Sequence, residues 1–328
     1  FFDMDGDGDK DLYIGKGGTD AVNLQDEILT NEQGTFTKSK NALPEFITNS
    51  TSVTPLDFDN DGDVDLFITG GVLAGKYPLS TANYLLENKG QSFTIKQQLD
   101  RTGITQDAAL SEDGKKLYVV GEWQEITKYT ITVQGLQHAE NKFISEDNTP
   151  IETTGWWNTI AIADMDNDGD DDLIIGNQGT NGFIKPSYDN PVYVYNGDFD
   201  NNGSIDPVLA KYFGDTGTQV LKPIHTRDDI MMQLVVLKKR YGTYHDFAQA
   251  DFTTLLNIRE LDKETLRATT FESAYAENIG DNTFILHPLP PQAQRSTIND
   301  LLITDIDGDG YKDVLAVQNN LTSEANYG

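Results

Sequence analysis

Nine residues recur five times along this chain in the pattern D-x-D-x-[DN]-G-x-x-D. The copies are DMDGDGDKD at Asp3 to Asp11, DFDNDGDVD at Asp57 to Asp65 and DMDNDGDDD at Asp164 to Asp172, then DFDNNGSID at Asp198 to Asp206 and DIDGDGYKD at Asp305 to Asp313. Short apolar runs flank them, such as Leu66-Phe67-Ile68 after the second and Ile160-Ala161-Ile162 before the third. These runs are rich in β-branched residues and end at Gly or Asn, so they read as strands. The first two loops start 54 residues apart and the second and third 107 apart, with a metal-free copy of the strand-turn-strand outline halfway between the second and third, Ala108 to Gly121. The period is therefore roughly 50 residues, which points to a β-propeller. Further hairpins recur between the loops: Ile28 to Thr37, Tyr84 to Ile95 and Ala274 to Leu286. Two hairpins per unit predict an all-β chain of four-stranded blades spanning 1–328. One stretch, 226–266, follows helical spacing instead, at Ile230, Leu234, Leu237 and Tyr241 and at Ala248, Phe252, Leu255 and Leu256. It reads as a small α-helical insertion within a blade, opened by a capping box of Thr226 and Asp229. Its Met-Leu stripe reads first as core, with a partner-docking face as the rival.

The loops read as cation cages. Carboxylates at positions 1, 3 and 5 line the inside of a curling chain, Gly at position 6 permits a turn that a Cβ would resist, position 7 offers its main chain, and position 9 closes the cage. The candidate metal residues are Asp3, Asp5, Asp7, Asp9 and Asp11; Asp57, Asp59, Asp61, Asp63 and Asp65; and Asp164, Asp166, Asp168, Asp170 and Asp172. The last two loops contribute Asp198, Asp200, Asn202, Ser204 and Asp206, and Asp305, Asp307, Asp309, Tyr311 and Asp313. A solvated acidic turn would have to repeat this spacing five times by chance. An EF-hand needs Glu at position 12, where this chain has strand residues such as Ile14 and Ile68. The glycine-dense nonapeptide of secreted toxins is absent. Calcium takes six to eight oxygens in a flexible shell, whereas magnesium demands a tighter octahedron with more water, so the expected cofactor is Ca²⁺, up to five ions. Asn202 and Ser204 leave the fourth loop with the least charge, and it should bind most weakly.

The charge balance agrees. The chain has 53 acidic against 24 basic residues, a formal net charge of -29. Twenty-three of the acidic residues are Asp inside the five loops. Such a surface repels nucleic acid and suits divalent cations, which cancel its self-repulsion. There is no Cys, hence no disulfide framework or thiolate site, and no apolar run long enough to span a membrane. The sequence starts at Phe1 without Met, and reads as a fragment of a longer protein whose export signal lies outside it.

The D-x-D-x-D-G-x-x-D loop between strands resembles the FG-GAP/VCBS repeats of integrin α-subunit propellers and many secreted bacterial proteins. The segment from DFDNNGSIDPVLAKYF through TFESAYAENIGDNTFILHPLP is similar to bacterial surface proteins that join such repeats to an ASPIC/UnbV module, which is not visible here. The resemblance implies a propeller of seven or eight blades, calcium on its rim and a location on the outer cell surface or outside the cell.

Three functions fit this reading. The first is a calcium-stabilised, non-enzymatic binding or scaffold propeller whose partner is a protein or a glycan. The second is a calcium-dependent polysaccharide lyase or glycosidase. The third is a subunit of a larger outer-surface assembly docked through the helices. His138, His225, His245 and His287 share no spacing, and neither H-E-x-x-H, G-x-S-x-G nor a phosphate loop occurs. Trp156-Trp157 reads as blade core before sugar platform. The N-x-[ST] sequons at Asn49, Asn202 and Asn320 read as incidental.

Overall fold

The computed structural model describes residues 1–19, 24–46, 48–99, 103–214, 217–256 and 265–319. Strands β1 (Leu12–Ile14), β2 (Glu27–Glu32) and β3 (Thr35–Lys38) form an antiparallel sheet. A four-stranded antiparallel sheet follows in chain order: β4 (Ser50–Leu56), β5 (Asp65–Gly70), β6 (Asn83–Asn88) and β7 (Phe93–Leu99). The third sheet holds β8 (Ile104–Leu110), β9 (Lys116–Gln124), β10 (Thr127–Thr132) and β11 (Gly135–Ala139). β12 (Lys142–Ile144) leaves for another sheet, and β13 (Gly155–Trp156) returns to the end of β9.

The next part interrupts the repeat. β14 (Thr159–Ala163) pairs with β15 (Asp172–Gly176) around the third loop. β16 (Val192–Tyr195), β17 (Val208–Phe213) and β18 (Val220–Pro223) then start a separate sheet. Helices α1 (Arg227–Gln233), α2 (Tyr244–Gln249) and α3 (Phe252–Leu256) follow, with a 3-10 turn at Val235–Lys239, and β19 (Thr265–Ala268) completes that sheet against β16. Only then does β20 (Ala274–Asn278) pair with β15, joined by β21 (Thr283–Pro288) and, in parallel, by β12. The last hairpin is β22 (Ile298–Thr304) and β23 (Asp313–Gln318). The insertion between β15 and β20 is thus a whole sheet with its helices. The helical reading of 226–266 extends over 257–264, which lie outside the described residues, and 265–266 begin β19.

The all-β reading holds, and the reason lies in the central strands. β5 is buried along its whole length. Its successive side chains point to opposite faces: Leu66 and Ile68 join Phe2, Ile28 and Tyr84, whereas Phe67 joins Leu85, Leu117 and Val119. In β9 the alternate residues Tyr118 and Val120 pack with Leu173, Ile175 and Phe284. Each central strand therefore feeds two cores, and the sheets stack face to face. The first strands β4, β8, β14 and β22 lie one against the next. Thr51 Oγ1 donates to the Thr105 carbonyl (2.8 Å) and Thr54 Oγ1 to that of Ala108 (2.9 Å). Asp107, on β8, accepts from Thr159 Oγ1 (3.0 Å) and the Ile160 amide (3.1 Å). No strand of the first sheet pairs with the last hairpin among the described residues.

The helices cover the inserted sheet. Ile230, Met231, Leu234, Leu237, Tyr241, Phe252, Leu255 and Leu256 pack on Val208 and Ala210. The capping box of Thr226 and Asp229 is present at α1. Ala248 departs from the predicted stripe and is exposed, because the chain breaks between α2 and α3 instead of continuing one helix. No helix among the described residues is long and apolar enough to cross a membrane.

Candidate metal centres

Every acidic loop joins two paired strands or, at the first, the bridge of Phe2 to Asp11. One hydrogen-bond scheme builds all five. The amide of the position-6 glycine donates to Oδ2 of the first Asp: Gly8 to Asp3 (3.0 Å), Gly62 to Asp57 (3.1 Å), Gly169 to Asp164 (3.1 Å), Gly203 to Asp198 (2.8 Å) and Gly310 to Asp305 (3.0 Å). The position-7 amide donates to the fifth side chain, as from Asp9 to Asp7 (2.8 Å), Asp63 to Asp61 (3.1 Å), Asp170 to Asp168 (3.0 Å), Ser204 to Asn202 (2.7 Å) and Tyr311 to Asp309 (2.8 Å). These bonds curl the chain around its own carboxylates.

Position 9 anchors the curl. Its Oδ2 accepts the amide of position 2: Met4 to Asp11 (2.7 Å), Phe58 to Asp65 (3.1 Å), Met165 to Asp172 (3.0 Å), Phe199 to Asp206 (3.0 Å) and Ile306 to Asp313 (2.9 Å). In three loops Oδ1 also accepts the amide of an Asn on the adjoining strand: Asn31, Asn88 and Asn278, each at 2.8 Å. The same Asn side chains donate to the position-8 carbonyls of Lys10, Val64 and Asp171. This clamp ties each loop to the neighbouring hairpin. Its sequence signal was available in the hairpins ending Thr-Asn, Glu-Asn and Glu-Asn. A second unread signal sits at position 4, which is Gly6, Asn60, Asn167, Asn201 or Gly308, all at positive φ. Gly and Asn are the residues that tolerate that region.

Residues 3–68 match the FG-GAP-like repeat and residues 156–195 the FG-GAP repeat. The chain carries FG-GAP repeats. No curated protein and no solved structure matches it.

Each of the five acidic loops, three of them within the FG-GAP matches, brings three carboxylates within 4.8 Å of one another. The sets are Asp3, Asp5, Asp11; Asp164, Asp166, Asp172; Asp198, Asp200, Asp206; and Asp305, Asp307, Asp313. In the second loop the set is Asp57, Asp59 and Asp61, and Asp65 lies outside it. Asp7, Asp168 and Asp309 fall outside the sets and hold the position-7 amides, as Asn202 does in the fourth loop.

The donor set fits a divalent cation on a further observation. Asp59 Oδ1, Asp63 Oδ1, Asp170 Oδ1 and Asp200 Oδ1 are buried and accept no hydrogen bond. Buried carboxylate oxygens without donors are costly. Burial pushes Asp63 up to about 6, with Asp61 beside it adding to the effect. Asp65 and Asp170 are likewise pushed up to about 6, chiefly by burial. Burial also raises Asp5, Asp59, Asp172 and Asp206. A cation would reverse that penalty by favouring the charged form.

The remaining candidates are spent on structure. Trp157 is 1% exposed and its Nε1 donates to the Thr153 carbonyl (2.7 Å). Trp156 packs edge-on against Trp123 (5.0 Å) and on Phe271 (4.5 Å). His287 sits between Glu277 (2.8 Å) and Glu146 (3.2 Å). Asn49 holds the Gly18 amide (2.7 Å) and the Val72 carbonyl (2.8 Å). Asn320 lies outside the described residues.

Proposed function

We propose that this chain is a calcium-stapled β-propeller that binds a protein or glycan partner outside the cytoplasm and catalyses no reaction. The observation that carries the calcium reading is the set of orphaned, buried carboxylate oxygens at Asp59, Asp63, Asp170 and Asp200. Bound calcium would supply positive charge to these oxygens, held by the first, third and ninth residues of four loops and, in the second, by Asp57, Asp59 and Asp61. The chain's own part is to preform the curl through its backbone donors and to lock it through Asn31, Asn88 and Asn278.

The propeller reading is supported by the stacked sheets and by the succession of first strands β4, β8, β14 and β22. The sheets become its blades, and the insertion of β16 to β19 with the helices stands beside the third and fourth sheets. A binding role follows from wide loop surfaces on a rigid frame. The location outside the cytoplasm follows from millimolar calcium there, which would fill weak extracellular sites.

Calcium that binds only the folded state must stabilise it. Chelation is therefore expected to lower the melting temperature and open the loops to protease. A chelated protein with unchanged melting and unchanged cleavage overturns the proposal. Turnover of a glycan at rates above buffer would overturn its non-enzymatic part.

A further inference from the structure

Two neighbouring clefts lie where the 145–152 segment after β12, the segment before β20 and the 180–188 loop meet, with volumes of about 580 and 810 Å³. They share Ile151, Thr270 and Glu272. Each lies in the size range of ligand pockets, and the shared lining makes them neighbouring parts of one trench. Ile151, Trp157, Phe271 and Leu286 give its walls an apolar lining.

Its rim is acidic. Glu146, Asp147, Glu152 and Glu272 face the clefts, against Lys185 as the sole basic residue of the lining. Glu152 is already satisfied by Arg267, at 2.6 and 3.1 Å. Asp147 accepts from Ser145 and the Thr149 amide, which hold its carboxyl below the usual carboxylate range. The Glu146 side chain is 80% exposed beside His287, and Glu272 is exposed with no ion pair among the described residues. The trench thus offers apolar walls and negative charge at Asp147 and Glu272 that no Lys or Arg pairs with among the described residues, with Glu146 facing only His287.

We propose that this trench binds an extended basic peptide segment of a partner protein, with Lys or Arg side chains reaching Glu146, Asp147 and Glu272. Their aliphatic stems suit the apolar walls, as long cationic side chains lay their methylenes on apolar surface and keep the charge in water. A glycan fits less well: Trp157 and Phe271 are 1% and 3% exposed, which leaves Tyr188, at 71%, as the one open aromatic face of the lining, and a neutral sugar leaves the carboxylates without a partner. The proposal names a partner for the binding role above and rests on it.

The test uses the full chain in millimolar calcium at near-physiological salt, so that the loops are filled and long-range attraction is screened. The probe is a labelled peptide alternating Lys and Leu, read by fluorescence anisotropy. Its Glu-for-Lys counterpart and a neutral xylo-oligosaccharide are the comparisons. The Lys peptide should bind the wild type and bind the E146Q/E272Q double variant about ten-fold more weakly. The E125Q/E140Q variant removes the same charge from exposed positions elsewhere and should bind as the wild type does. Absence of binding, equal losses in both variants, or capture of the oligosaccharide instead would overturn the proposal. These outcomes leave the chelation response untouched, so failure of the trench is distinguishable from failure of the calcium-stapled reading.

Discussion

Asp59 and Asp65 belong to one loop but answer different needs. Both oxygens of Asp65 accept backbone amides, from Phe58 and Asn88, and the residue is 1% exposed. Asp65→Asn replaces one acceptor with a donor and turns it toward an N–H. The expected loss is about 1–3 kcal/mol, the cost of an unsatisfied buried group, and it should appear in urea unfolding with chelator present. Asp59 is the reverse case, since its Oδ1 has no donor and burial disfavours its charge. Asp59→Asn should leave the chelated protein as stable or more so, while shrinking the stabilisation that calcium adds. Equal losses for both variants in chelator would refute this division of labour. At this scale the sequence shows which side chains are acidic and how they are spaced. It does not show which are consumed by amides, because the donors come from position 2 and from a strand more than 20 residues away.

Elements were legible where the apolar pattern was local. Leu66-Phe67-Ile68 and Leu173-Ile174-Ile175 became central strands, and the hairpins after the loops fell where their Asn and Gly placed them. The inserted sheet was not legible, because β16 and β17 flank an acidic loop as β4 and β5 do. Only the longer-range pairing of β15 with β20 separates them. One clue was the third and fourth loops starting just 34 residues apart. The fourth loop also lacks the Asn clamp that locks three others among the described residues. It has Asn202 where the others have Asp and carries the fewest carboxylates. Calorimetric titration should therefore resolve one site weaker than the rest, and Asn202→Asp should strengthen that site alone. In limiting calcium, protease should cut first within 198–206. Equal affinity across the loops, or first cleavage within 57–65, would contradict the charge-count argument.

For the molecule as a whole, charge couples pH to calcium. Asp63, Asp65 and Asp170 are pushed up to about 6 in the folded chain, against about 4 for a free carboxyl. A raised carboxyl means that the folded state binds protons more tightly than the unfolded one. Stability therefore falls as pH rises through about 6 and is recovered as pH drops toward about 4. Asp26, Asp107 and Glu122 are also raised by burial and act in the same direction. They lie away from the loops, so they contribute equally with and without calcium. The loop carboxylates do not, because a bound cation needs them charged and competes with the proton. The difference in melting temperature between calcium-loaded and chelated protein isolates them. That difference should be largest near pH 7 and shrink steadily toward pH 5, while the chelated protein alone melts higher at pH 5.5 than at pH 7. Scanning calorimetry in both buffers measures it. A chelated protein that loses stability over that interval would mean that the loops are already relaxed without metal, and that their buried oxygens carry no penalty for calcium to relieve.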